Sequence, residues 1–177
     1  LVHYRAHFVR RLAAAAAAVH EDCSGGREKL GLRYETVSTV TDPQAGEKQI
    51  FAQLIAHQEA HRRAELESRS CLSGPHKDDL LVEIDGNSAK AFASQGQTRT
   101  AALSLKMASR DIIFQDSGEW PVLLLDDVLS ELDSRRQEFV LSRITSGQVF
   151  ITCCEEERLA ELGGNTLFRI RAGSLVS

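Results

Sequence analysis

Apolar residues recur at helical spacing through the first 22 positions of the chain: Leu1, Tyr4, Phe8, Leu12, Ala15 and Val19, with Arg5, Arg10 and Arg11 elsewhere on the wheel. The spacing predicts a helix, which Ser24-Gly25-Gly26 breaks. From Leu30 to Val40 the pattern turns alternating and β-branched (Leu32, Tyr34, Thr36, Val37, Thr39, Val40) and predicts a strand. A loop over 41–46 leads into a second helix, Glu47 to about Ser70, whose apolar stripe is confined to Ile50, Phe51, Leu54 and Ile55. A helix that is mostly charged beyond one turn fits an arm projecting from a core, or one face of a helical hairpin.

From Cys71 the composition changes. Gly74 to Asp79 reads as a turn, Leu80–Ile84 as a strand, Asp85-Gly86 as a hairpin turn and Ala89–Ala93 as the return strand. A helix is expected from Gln97 to about Gln115. The run Val122–Leu125 reads as a fully buried parallel strand ending in Asp126-Asp127. A helix from Ser134 to about Ile144, capped by Asp133 or Ser134, precedes a strand at Val149–Cys153. A short helix over Glu155–Leu162 stops at Gly163-Gly164, and Leu167–Ile170 with Leu175-Val176 forms a terminal hairpin. Strands alternating with helices in the second half imply βαβ units and a parallel core sheet, hence an α/β fold.

Composition narrows the function classes. An apolar fraction of 42% and a charged fraction of 26% over 177 residues are ordinary for a globular protein. A net charge of −4 argues against a uniformly basic nucleic-acid wrapper, although a local basic patch stays possible. Cys23, Cys71, Cys153 and Cys154 lack C-x-x-C or zinc-type spacing, so reduced thiols of a cytoplasmic protein are expected, with Cys153-Cys154 buried. No segment reaches the roughly 18 to 20 apolar residues of a membrane span, so no membrane partner is expected. A start at Leu1 instead of Met suggests a piece of a longer protein.

Two motifs carry chemistry. The Ser94-Gln95-Gly96-Gln97 turn opens a helix whose free N–H groups and positive dipole end suit a phosphate. Taken alone it is a helix cap. Asp126-Asp127 lies where open α/β sheets place their chemistry, at the carboxyl end of a strand. Mg²⁺ takes one or two carboxylates plus phosphate and water, and a second acid can orient or deprotonate an attacking water. Two acids at a helix start can also merely serve its dipole; four preceding apolar residues and the following Ser130-Glu131-Leu132-Asp133 favour the site.

Three stretches together resemble the C-terminal half of the RecF family, bacterial recombinational-repair ATPases related to the SMC-like heads of the ABC class. They are Ser73 to Leu80 (Ser-Gly-Pro-His-Lys-Asp-Asp-Leu), Ala93 to Thr100 (Ala-Ser-Gln-Gly-Gln-Thr-Arg-Thr) and Pro121 to Arg136. The resemblance is good over 71–177, implying the C-terminal half of an ABC-type ATPase head. Over 1–70 it is a likeness of layout, implying the returning part of a helical arm. It further implies that Ser94, Gln95, Gly96 and Gln97 are the signature motif, which binds the γ-phosphate of ATP held by the partner protomer. Asp126 would be the Mg²⁺ ligand and Asp127 the catalytic acid in place of the more usual Glu. Ser130 to Asp133, with Ser130 and Asp133 at its ends, would be the D-loop. The implied whole protein binds ATP and Mg²⁺, forms an ATP-dependent homodimer, acts on DNA at single-/double-strand junctions, and works with RecR and RecO.

The chain departs from that pattern in two places. No G-x-x-x-x-G-K-[ST] phosphate loop occurs, and Gly46-Glu47-Lys48-Gln49 is no substitute, so tight nucleotide binding by this chain alone is not expected. Many ABC ATPases carry a γ-phosphate-sensing His after the strand matching Val149–Thr152; here Thr152, Cys153 and Cys154 follow, and the role is either missing or taken by a hydroxyl. His76 is not assigned that role, and Lys77, Asp78 and Asp79 beside it suit a salt-bridged structural turn as well as a nucleotide contact. Arg5, Arg10, Arg11, Arg62, Arg63 and Arg69 could face phosphates, but interleaved Glu59, Glu65 and Glu67 favour a solvated helix face. Two alternatives remain: a non-catalytic interaction module of an SMC-like protein, and a transporter's nucleotide-binding subunit, which Gln95 and the double Asp disfavour.

Overall fold

A computed structural model describes residues 1–154 and 166–176. The expected helix over Glu155–Leu162 lies outside the described residues. The chain divides into two compact units, Leu1–Pro121 and Val122–Ser177.

In the first unit, α1 (Val2–Ser24) lies against α4 (Gln95–Ser117). Ala16 and Ala108 are completely buried. Side chains this small let two helices approach closely, and Leu12, Val19, Leu103 and Met107 of the same two helices are buried too. Buried His20 bridges the contact, its Nδ1 at 3.2 Å from the Ser104 hydroxyl and its Nε2 at 3.2 Å from Glu28. Gly25 ends α1 at φ 69°, ψ 41°, with its N–H and that of Gly26 donated to the carbonyls of Asp22 and Glu21. That left-handed stop is where glycine costs least.

Strand β1 (Leu30–Glu35) pairs antiparallel with β2 (Asp79–Ile84), Leu30 opposite Ile84 and Glu35 opposite Asp79. The strand is shorter than its sequence pattern, which runs on to Val40. Because β2 begins at Asp79, Thr36 and its successors find no ladder partner. Val40 instead packs with Val2 and with Ile50 of α2 (Glu47–Ser68). On α2 the residues Ile50 and His57 are buried while Phe51 is 65% exposed, in keeping with a mostly solvated helix.

Asp85 and Gly86 both take positive φ (53° and 79°) and close the hairpin from β2 to β3 (Asn87–Ser88), as the dipeptide predicts. The expected return strand at Ala89–Ala93 does not form. Only its two-residue prelude pairs, and Ala89–Phe92 makes a short helix, α3, in line with the helix preference of Ala-Lys-Ala. The β1–β2 ladder and the α1–α4 contact both join residues on either side of position 70.

In the second unit, β4 (Leu123–Asp126) and β5 (Val149–Thr152) are parallel, with α5 (Ser134–Arg143) between them in sequence. Leu123, Leu125, Leu129, Leu132 and Val140 are buried there. The strand is not buried on both faces as expected: Val122 is 56% and Leu124 59% exposed. Alternate side chains point to opposite faces, so among the described residues Leu123 and Leu125 lie on a buried face and Val122 and Leu124 on an exposed one. The adjacent cysteines also differ from expectation. They lie beyond the end of β5, with Cys153 half-buried and Cys154 exposed, and none of the four cysteines forms a disulfide. Strands β6 (Arg169–Arg171) and β7 (Ser174–Val176) form the expected terminal hairpin around Ala172-Gly173. Among the described residues no helix is long and apolar enough to cross a membrane.

Candidate functional site

The two candidate motifs fall in different units. In the first unit, Ser94 is the N-cap of α4. Its hydroxyl oxygen accepts the N–H of Gln97 at 3.2 Å, and the Gln97 side-chain oxygen accepts the N–H of Ser94 at 2.9 Å. This reciprocal capping box needs a hydroxyl at the cap and an amide or acid three residues on, which Ser94 and Gln97 supply. Thr98 returns its hydroxyl proton to the Ser94 carbonyl at 3.0 Å. The N–H groups of Gln95 and Gly96 belong to the first turn, where no intrahelical acceptor exists. Ser94, Gln95 and Gly96 are exposed, and a Cβ added at Gly96 would meet nothing within 4 Å. Packing inside this chain therefore does not require glycine there.

The preceding turn, Gly74 to Asp78, is held from outside. The Asp78 side chain is 2% exposed, lies 3.4 Å from the Arg5 guanidinium and accepts the Tyr34 hydroxyl, while Arg5 also donates to the Pro75 carbonyl at 2.7 Å. Asp78 is thus salt-bridged, with partners from α1 and β1 instead of its own Lys77. His76 and Lys77 are exposed. Burial first, and the Asp78 carboxylate second, push the Tyr34 hydroxyl up to about 12.

In the second unit, Asp126 ends β4 directly across from Thr152 of β5. The Thr152 hydroxyl donates to Asp126 Oδ1 at 2.5 Å. The same hydroxyl oxygen accepts the Asp127 N–H at 2.9 Å, and the Thr152 carbonyl accepts it as well at 3.2 Å. The Thr152 hydroxyl is thus committed to the acid pair, which bears on the γ-phosphate role left open for it. Both acids are exposed, and Asp127 sits at φ 50°, a left-handed conformation uncommon for residues other than glycine. Outliers of this kind cluster at functional sites.

The following loop is pinned to the same place. Ser130 donates its hydroxyl proton to the Asp127 carbonyl at 2.8 Å, and the Gln137 side chain donates to the carbonyls of Leu129 (2.6 Å) and Leu132 (3.0 Å). Of the two candidate caps, Asp133 is the one used: it accepts the Arg136 N–H at 3.0 Å and the Arg136 guanidinium at 2.5 Å. Those donors, the backbone one foremost, hold its carboxyl below the usual carboxylate range.

Among the described residues no group of three or more His, Cys, Asp and Glu is arranged to hold a metal ion. One oxygen of Asp126 is engaged by Thr152, leaving Oδ2 as a hard oxygen ligand. Such a donor set fits Mg²⁺ whose remaining shell comes from phosphate and water. Three of the six candidate arginines are engaged within the chain: Arg5 at the turn, Arg11 in a two-pronged pair with Asp116 (3.0 and 2.6 Å), and Arg63 with Glu67 at 2.8 Å. Of these, the Arg63–Glu67 pair is the within-helix pairing expected of a solvated face. Sequence reasoning missed the roles of Arg5, Tyr34 and Gln137; the first two meet Asp78 across 73 and 44 residues, a distance no local pattern spans.

Comparison with known proteins places this geometry in a family. The chain is 40% identical over 184 residues to the DNA replication and repair protein RecF of Bacillus subtilis, covering 97% of this chain and 47% of that protein. It is 39% identical over 178 residues to the protein of the same name from Desulforamulus reducens, covering 99% and 48%. Two solved structures of the recombination mediator protein RecF in the RecFOR pathway, described as RecF-ATPrS and RecF-ATP, each match with a TM-score of 0.82. They are 31% and 32% identical, and the match covers 98% of this chain and 45% of theirs. No protein-family profile matches the chain. The chain spans about half the length of the curated relatives it matches. Its parallel strand pair and flanking helices fit the C-terminal lobe of an ATPase head, the α/β class expected from the sequence.

Proposed function

For a chain that belongs to the RecF family, we propose the role of the signature- and metal-holding half of a DNA-repair ATPase. The whole protein binds ATP with Mg²⁺, forms a homodimer on DNA at single-/double-strand junctions, and acts with RecR and RecO in the cytoplasm. Residues 1–70 are the returning part of its arm and 71–177 the C-terminal half of its head. The observation that carries this reading is the exposed pair Asp126-Asp127 at the carboxyl end of a parallel strand, braced from the neighbouring strand.

The reaction is phosphoryl transfer from ATP to water, in which positioning and charge stabilisation do most of the work. Bound Mg²⁺ would offset charge on the phosphate oxygens, with Asp126 as its protein ligand. Asp127 orients the attacking water and accepts its proton. An aspartate is one methylene shorter than the glutamate more usual at this position, which suits slow, switch-like hydrolysis. Ser94 and the N–H groups of Gln95 and Gly96 donate to the γ-phosphate of ATP bound by the partner protomer, with Gln97 holding the cap in shape. Ser130 and Asp133 bound the D-loop that crosses between protomers.

The test is Asp127→Asn in the full-length protein. ATP binding should persist and the ATP-bound dimer should accumulate, because the water-orienting carboxylate is lost while Asp126 remains. Hydrolysis at the wild-type rate in that variant would remove Asp127 from the chemistry.

A further inference from the structure

We propose that Thr152 is a positioning residue of this site, setting both the side chain of Asp126 and the backbone of Asp127 through one hydroxyl. The inference rests on the reading of Asp126-Asp127 as the metal and water acids.

A threonine hydroxyl has one proton to give and two lone pairs. At Thr152 the proton goes to Asp126 Oδ1 at 2.5 Å, the short range of a hydroxyl donating to a carboxylate, and a lone pair takes the Asp127 N–H at 2.9 Å. The parallel register makes this possible: Asp126 and Thr152 are the last paired residues of β4 and β5. Beyond that point the ladder ends and Asp127 turns to φ 50°. A left-handed conformation is sterically disfavoured for residues other than glycine, and it persists where the surroundings over-determine it. Here its N–H is held between the hydroxyl and the carbonyl of the same threonine.

Both acids are thereby prepared before any ligand arrives. With Oδ1 bonded to Thr152, the Asp126 carboxylate cannot spin freely, and Oδ2 is presented as the metal-facing oxygen. The conformation of Asp127 fixes the direction in which its short side chain leaves the backbone, and a short side chain has little reach with which to correct an error. Ser130 reinforces the arrangement from the far side by donating to the Asp127 carbonyl at 2.8 Å.

The experiment compares Thr152→Val, Thr152→Ala and Thr152→Ser in the full-length protein, with Asp126→Asn and Asp127→Asn as references. Thr152→Val keeps the β-branch and shape but deletes the hydroxyl; Thr152→Ala deletes both, so agreement between them isolates the hydroxyl. Thr152→Ser restores it. Without nucleotide or metal, hydrogen exchange at the Asp127 amide should quicken in Val and Ala and stay near wild type in Ser. In ATPase assays Val and Ala should lose about 10- to 100-fold in kcat or in apparent Mg²⁺ affinity, the usual scale for residues that orient a metal ligand. The KM for ATP should hold, and Ser should rescue. Wild-type exchange and wild-type kcat in Val, beside an inactive Asp126→Asn, would overturn the proposal while leaving the acid pair intact. Full hydrolysis in both Asp126→Asn and Asp127→Asn would overturn the reading of the acid pair, and this inference with it. Equal losses in Val, Ala and Ser would also overturn it, because packing and not the hydroxyl would then be responsible.

Discussion

Ser94 and Gln97 hold one another at the start of α4, the serine oxygen accepting the glutamine N–H at 3.2 Å while the glutamine side chain accepts the serine N–H at 2.9 Å. The consequence lies in what the box leaves over. Ser94 uses a lone pair of its hydroxyl and keeps the proton, so the side chain that caps the helix is still a donor toward a phosphate. Gln97, turned back on Ser94, acts as the cap's support.

This division predicts different outcomes at the two positions. In the full-length protein Ser94→Arg should abolish ATP-driven dimerisation while ATP binding by the monomer persists, because a long cation replaces a small donor pressed against the partner's phosphate. Gln97→Ala should weaken dimerisation less, removing one half of the capping box and costing about 1 kcal/mol of helix stability. Light scattering with and without ATP reads both. Undiminished dimerisation of Ser94→Arg would remove Ser94–Gln97 from the interface.

How much of this was legible in the sequence follows from the range of each interaction. The α4 cap, the Asp85-Gly86 hairpin and the acids ending β4 are written within a few residues, so spacing alone located them. Thr152 was visible as a hydroxyl after a strand, yet its engagement with Asp126 depends on a register across 26 positions. The Ala89–Ala93 strand failed because a hairpin turn announces a return strand without fixing its length. The run Val122–Leu125 looked buried on both faces because apolar residues record what a strand is built to meet; among the described residues Val122 and Leu124 are left exposed on one face.

The anchoring of the Gly74–Asp78 turn gives a titration that can be watched. With Tyr4→Phe, Tyr34 becomes the sole tyrosine of the chain. Its ionisation, followed by absorbance, should centre at about 12. Burial is the leading cause and the hydrogen bond to Asp78 the second, so Asp78→Asn should lower the midpoint without returning it to the ordinary tyrosine value. The sign for stability follows from linkage. A group whose folded pKa is raised contributes stability fully present below its unfolded pKa of 10 and lost as pH rises through about 12. Chemical denaturation across that window should show the loss, and Tyr34→Phe should remove that part of it. A Tyr34 midpoint at 10 would mean that neither the burial of Tyr34 nor its contact to Asp78 holds in solution.

The 177-residue chain on its own should bind ATP weakly or not at all. P-loop ATPases hold the phosphates with backbone N–H groups and a lysine of one glycine-rich loop, and no such loop occurs in this sequence. What the chain does contain, Ser94–Gln97 and Asp126-Asp127, would serve two different composite sites of a dimer, so one copy cannot close both around one nucleotide. The acids give little help alone, since Mg²⁺ is held by one or two carboxylates only when phosphates and water complete its shell. Calorimetry at millimolar Mg²⁺ should therefore show no saturable heat. Joining the chain to a phosphate-loop half should restore binding, and Asp126→Asn in that joined protein should weaken the Mg²⁺ dependence of the ATP-driven dimer. A micromolar dissociation constant for ATP with the 177-residue chain would place a phosphate cradle elsewhere in this sequence and dissolve the two-site argument.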